Sequence, residues 1–221
     1  APAPIEADFR RCPDAKNDWG TSFRFGEGSA PEDAGAGARP LADAVVAVTG
    51  YEGFYVPERR EEKLVTIEGC GFSTRTVTMT FGQRVDVKNL TTEFWTPLLE
   101  PGSKLVMMVA PPKGDPVRLY PKQPGHYLLV DRDRKWAVAD LYAFLHPLHD
   151  ATDRRGHYRI DGVPVGKVTV NTTHPRFKAE ASVPLEVQAN VVHQVDLVLR
   201  HVAEDAGAAA DADAGYHPPL R

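Results

Sequence analysis

The densest cluster of metal-ligand residue types lies in "FLHPLHD", Phe144 to Asp150, where His146, His149 and Asp150 stand together and His157 follows closely. A divalent ion such as zinc needs three or four such groups converging at about 2.0–2.2 Å. An i, i+3 histidine spacing suits a helix, but Pro147 between the two argues for a loop. The expectation is therefore a structural role, with His146, His149 and His157 as the alternative metal set. His126 and His174 fall on strand-like runs and are expected to be half-exposed. Met107 and Met108 are adjacent, so a strand points them to opposite faces, and core packing is the expected role. Hydrolytic chemistry finds no support, because Gly-x-Ser-x-Gly and His-Glu-x-x-His are both missing. None of Ser22, Ser29, Ser73, Ser103 and Ser182 has a nucleophile-like context. The glycines from Gly26 to Gly37 lack the strand–turn–helix setting of a phosphate loop. No catalytic or cofactor-binding residue is assigned, no cofactor is expected, and the chain reads as non-enzymatic.

Bulk properties agree. With 26 Lys+Arg against 30 Asp+Glu, the formal net charge of −4 gives no reason to expect nucleic acid. No apolar run approaches the roughly 20 residues that span a bilayer, so membrane association is expected to be peripheral at most. The opening "APAPIEADF" reads like a mature end left after cleavage, which points to a periplasmic or extracellular setting. Cys12 and Cys70 allow a single disulfide in such a compartment, and two unpaired buried thiols are the alternative. "NLT" and "NTT" are glycosylation sequons of a very common kind.

The elements that must carry these residues are short and rich in Val, Thr and Tyr. "DAVVAV", "KLVTIEG", "TRTVTMTF", "QRVDVKNL", "KLVMMVA", "HYLLV", "HYRIDGV", "KVTVNTT", "ASVPLEVQ" and "HQVDLVLR" are separated by turn sequences such as "EGCG", "KQPG" and "DRRG". Only "KWAVADLYAFLH", Lys135 to His146, has room for a helical turn, and it reads equally well as a strand. The expected fold class is all-β, built as β-sandwich. Gly26 to Pro40 reads as a flexible loop, and His201 to Arg221 as a low-complexity Ala/Asp tail.

Two stretches carry a family resemblance. "ATDRRGHYRIDGVPVGKVTVNTTHPRF" has Thr152, Asp153 and Gly156, then Tyr158 and Ile160, then Val163, Pro164 and Gly166. It resembles the carboxypeptidase regulatory-like, or transthyretin-like, β-sandwich. That module's first strands are supplied by "TSFRFG" and "PLADAVVAV", about a hundred residues upstream. The implied organisation is an N-terminal arm over 1–19, a split sandwich over 20–50 and 149–200, an insert over 51–148, and the tail over 201–221. The insert, with "GCGFSTRTVTMTFGQRVDVKNLTTEFWTP" and "PGHYLLVDRDRKWAVADLYAFLHP", is similar to a plastocyanin-like cupredoxin of the methylamine-utilisation-like group.

A blue-copper site takes two imidazoles, a thiolate and a weak axial thioether. Carried over by this resemblance, those four positions fall on Trp95, Asp131, Arg134 and Ala137. None is of the required type, which implies that the copper ligands are lost. The loop Asp131–Arg134 then reads either as a solvated charged segment or as part of a docking end. Trp95, Trp136, Tyr142 and, in the tail, Tyr216 are the interaction candidates, since aromatic side chains anchor interfaces. The expected function is that of an exported structural or interaction protein, bound to protein partners in an envelope, extracellular or membrane-bound respiratory assembly. The alternatives are electron transfer through an unorthodox metal site, and carbohydrate or peptide binding on Trp95 or Trp136.

Overall fold

The computed structural model describes residues 37–51, 61–102 and 108–200. The N-terminal arm, the strand expected at Thr21–Gly26, Cys12, Met107 and the tail with Tyr216 lie outside the described residues. Every described element is a strand: β1 (Val45–Thr49), β2 (Lys63–Glu68), β3 (Gly71–Phe72), β4 (Thr76–Thr80), β5 (Val85–Asn89), β6 (Pro97–Glu100), β7 (Val117–Leu119), β8 (Gly125–Asp131), β9 (Val138–Phe144), β10 (His149–Ala151), β11 (Gly166–His174) and β12 (Phe177–Val187). The protein is all-β. "KWAVADLYAFLH" resolves as strand β9, because it is paired on both sides, antiparallel to β8 and parallel to β4.

Three four-stranded sheets result, ordered β3-β2-β5-β7, β4-β9-β8-β6 and β10-β1-β11-β12. The first two enclose one core. Val65, Ile67, Val85, Val87 and Val117 meet Val77, Met79, Leu129, Ala139 and Leu141 across it. Strand alternation selects these residues: along β8, Tyr127, Leu129 and Asp131 are buried while the residues between them are less so. In the third sheet, β1 pairs with β10 and β11 although nearly the whole of the other two sheets separates them in sequence. Its core holds Val46, Val48, Leu148, Val168, Val170 and Val187, with Tyr158, Ile160, Val195 and Leu197 packed on it. The segments carrying the last four form no named strand among the described residues. From Val191 to Arg200, exposure still alternates with period two, as in an extended chain facing a core.

Strand β4, "TVTMT", is buried at every residue. Val77 and Met79 enter the sandwich core, whereas Thr76 and Thr80 face the third sheet. Thr76 Oγ1 donates to the Asp43 carbonyl at 3.1 Å, and Thr80 Oγ1 lies 3.3 Å from His149 Nε2. A polar seam thus joins the third sheet to the outer face of β4 and β9. Next to it, Thr152 clips the lead-in of β1: Oγ1 donates to the Leu41 carbonyl at 2.7 Å and accepts from the Ala44 amide at 2.9 Å. The Thr152→Val variant keeps the shape but loses both bonds, leaving backbone groups to be resatisfied. Its unfolding free energy in urea is expected to fall by about 1–3 kcal/mol; an unchanged midpoint would contradict the clip.

Candidate functional site

The four positions singled out above, Trp95, Asp131, Arg134 and Ala137, come together at one end of the two-sheet sandwich. Asp131 ends β8 on the same face as Tyr127 and Leu129, so the strand period drives its carboxylate inward. It is 0% exposed. Its Oδ2 accepts from the Thr96 amide at 2.6 Å, and its Oδ1 accepts from the amides of Asp133 and Arg134 at 3.0 and 2.8 Å. The Arg134 guanidinium completes the ring of positive charge, with Nη1 at 3.7 Å from Oδ1. A carboxylate offers about four acceptor sites; three backbone N–H groups use three of them, and the guanidinium adds a charge pair beyond hydrogen-bond distance. Ala137 closes the same turn: its amide donates to the Arg134 carbonyl at 2.9 Å, and its carbonyl accepts from the Asp131 amide at 3.2 Å.

This corrects the reading of Asp131 as part of a solvated loop. Only Arg132 and Asp133 behave that way, paired in the open at 2.9 Å. Their hydrogen bond holds the Asp133 carboxyl below its ordinary value. A buried, fully paired carboxylate differs in kind from such a surface pair.

Trp95 needs correction too. It is 1% exposed and belongs to the core, so it presents no docking face. Its indole N–H donates to Thr91 Oγ1 at 3.0 Å. The Arg134 guanidinium carbon stands 4.1 Å from the ring centroid, a cation–π cap over the indole. That guanidinium also donates to the Phe94 carbonyl at 3.0 Å. Arg134 therefore ties together Asp131, Trp95 and the loop before β6.

Asn89 organises that loop, a role the sequence reading missed. Its side-chain amide donates to the carbonyls of Glu93 and Ala110 at 2.7 and 2.9 Å, and its Oδ1 accepts from the Thr91 amide at 2.9 Å. The signal was available: an Asn ending a strand before "LTTE" is placed to cap a turn.

Trp136 is half-buried against the core, and its indole N–H donates to the Cys70 carbonyl at 3.0 Å. Cys70 closes the β2–β3 hairpin in a left-handed conformation, φ 79°, after Gly69 at φ 51°, as a two-residue primed turn requires. Cys12, the expected disulfide partner of Cys70, lies outside the described residues. Tyr142 is half-buried and stacks on His126 at 4.5 Å between centroids. The exposed apolar side chains at the loop end are others: Phe94, 64% exposed, with Leu90, Met108 and Val109. Trp95 and Ala110 form a β-bridge and point inward, so Phe94 and Val109 must point out.

The histidines assemble differently from the alternative metal set. His149 is 2% exposed, bonded to Thr80 and stacked on Phe144 at 4.8 Å. His146 lies beside it, 6.4 Å between ring centroids, and against Tyr51. Burial lowers the His146 pKa from its ordinary value. His157 sits exposed on the Thr-Asp turn, where its amide donates to Asp153 Oδ1 at 2.9 Å. Among the described residues, no three His, Cys, Asp or Glu side chains are grouped to hold an ion.

No protein-family model matches the chain, and no curated protein matches it. Solved structures similar to parts of it include the following two. A copper-containing nitrite reductase from Thermus scotoductus SA-01 shares 14% identity at a TM-score of 0.32, over 43% of this chain and 25% of the reductase. Amicyanin from Paracoccus versutus shares 14% identity at a TM-score of 0.33, over 40% of this chain and 84% of amicyanin. The chain thus spans about a quarter of the reductase's length. Likenesses this loose decide no chemistry.

Replacing Asp131 with Asn keeps the shape but turns an NH2 group toward one or two of the backbone N–H donors. The Asp131→Asn variant is expected to lose about 1–3 kcal/mol of stability in chemical denaturation. A variant as stable as the parent would show that the carboxylate does not hold this end together.

Proposed function

We propose that the two-sheet sandwich is a cupredoxin-like unit whose metal-binding end has become a structural closure, and that the protein is a non-enzymatic subunit of a larger exported assembly. The observation that carries this reading is the burial of Asp131 among three backbone amides and a guanidinium. Copper of the blue type asks for imidazole, thiolate and thioether donors. Here those four positions hold an indole, a carboxylate occupied by three amides and a guanidinium, the guanidinium itself, and a methyl group. Arginine is always protonated and cannot ligate a cation, and placing one beside the carboxylate repels a second positive charge. These residues do not fit a copper ion.

The same reading takes the third sheet, with the Thr152-Asp153 turn, as a regulatory-like sandwich split by that unit. It pairs Cys12 with Cys70, so that the N-terminal arm is tied to the β2–β3 turn, whose Cys70 carbonyl accepts from Trp136. The docking face is offered by Phe94, Val109 and Leu90 around the Arg134 cap, a partly apolar rim suited to a protein partner. Electron transfer through an unorthodox site is the second reading, favoured only by the adjacency of His146 and His149.

Size measurement of the chain in extracts of its source tests the first reading: it is expected to run with defined polypeptides, and a free 24.3 kDa monomer would overturn it. The Phe94→Ser/Val109→Ser double variant is expected to weaken that association at least tenfold, about 1.4 kcal/mol, with unchanged thermal stability. Stoichiometric copper after equilibrium dialysis, lost in His146→Ala or His149→Ala, would establish the second reading instead.

A further inference from the structure

The seam between the third sheet and the outer face of β4 and β9 holds ionisable groups that the proposed function does not use. β11 faces its core with Val168, Val170, Thr172 and His174 in alternation, so the row turns polar as it reaches the seam. His174 is 3% exposed, not half-exposed as strand position alone suggests. The β11–β12 register shifts between Thr173 and His174, an irregularity that re-aims a side chain. Its Nδ1 accepts from the Arg176 amide at 3.1 Å, which a proton on that nitrogen would abolish.

Charged groups face this imidazole from each neighbouring element. Asp43 approaches from the lead-in of β1, Arg75 from the start of β4, and Asp140 from β9, with the Ala42 backbone nearby. Arg176, on the β11–β12 tip, reaches Asp140 Oδ2 at 3.5 Å, and His126 on β8 holds Asp140 Oδ1 at 2.8 Å. The two carboxylates favour an imidazolium here more than Arg75 opposes it, but burial outweighs them. Burial is the leading cause that lowers the His174 pKa from its ordinary 6.5, with Arg75 adding and Asp43, the Ala42 backbone and Asp140 opposing. A base with a lowered folded value stabilises the closed form fully above the unfolded value near 6.5. That contribution is lost as pH falls from there through the folded value.

We propose that this seam is an acid-sensitive latch, in which protonation of His174 breaks the bond from the Arg176 amide and frees the β11–β12 tip from β9 without unfolding either core. The opening takes up one proton per latch, so its population rises up to tenfold per pH unit over the window between the two values.

Native-state amide exchange on the full chain, corrected for the intrinsic pH dependence, tests the latch. Protection of the Arg176 amide is expected to fall between pH 7 and pH 5, by up to tenfold per pH unit below 6.5, while amides of the β8–β9 ladder keep theirs. The His174→Gln variant is expected to remove that pH dependence, and His126→Gln to leave it in place. Three results overturn the proposal: equal Arg176 protection at both pH values, loss that spreads to β8 and β9, or a dependence that follows His126. If His174→Gln does not fold, the parent's own imidazole titration serves. A His174 ring that titrates at or above 6.5 overturns the latch, and one that titrates below it in step with Arg176 exchange upholds it.

Discussion

One buried carboxylate governs the loop end of this protein. Left alone, a charge at 0% exposure would cost several kcal/mol in lost hydration. Three amide hydrogen bonds and a guanidinium offset that cost, and in doing so they fix four pieces of chain: the end of β8, the turn at 132–134, Thr96 before β6, and through Arg134 the Trp95 indole. Removing one member leaves the others worse off than if none had been present, which is how buried polar networks specify a single arrangement. The same bonds, with the guanidinium alongside, already engage both carboxylate oxygens.

A second polar arrangement, the seam, solves a different problem. The sandwich of β2–β9 and the sheet of β1, β10, β11 and β12 each have a complete apolar core. Where they meet, the contact includes threonines, histidines, the Arg176–Asp140 ion pair and Phe144 stacked on His149. Such a contact is directional and depends on protonation, whereas apolar burial is neither. Loop end and seam therefore differ in composition: the first is closed by a carboxylate, backbone amides and a guanidinium, the second contains imidazoles.

Much of this was legible in the residues. Alternation in "KLVTIEG", "HYLLV" and "KVTVNTT" marks strands β2, β8 and β11, and Gly-rich turn sequences mark their ends. Carried one step further, the alternation Tyr127, Leu129, Asp131 places the carboxylate inside, and a charged-looking "DRDRK" disguised it. "TVTMT" signals a strand buried on both faces only once its neighbours are known, because threonine suits solvent and seam equally. The ambiguity over Lys135–His146 was physical: "DLYAF" reads as helix or strand until β4 and β8 are available as partners. Pairings across a hundred residues, such as Val46 with Asp150, and the burial of His174 are properties of the assembled sheets, with no local signal.

Diffraction from crystals equilibrated with a copper salt, recorded across the copper absorption edge, addresses the central claim most directly. The account predicts no ordered copper within bonding distance of Trp95, Asp131, Arg134 or Ala137, and Asp131 still bound to the amides of Thr96, Asp133 and Arg134. A fully occupied ion at that end, with the carboxylate turned from its amides to ligate it, would contradict the account.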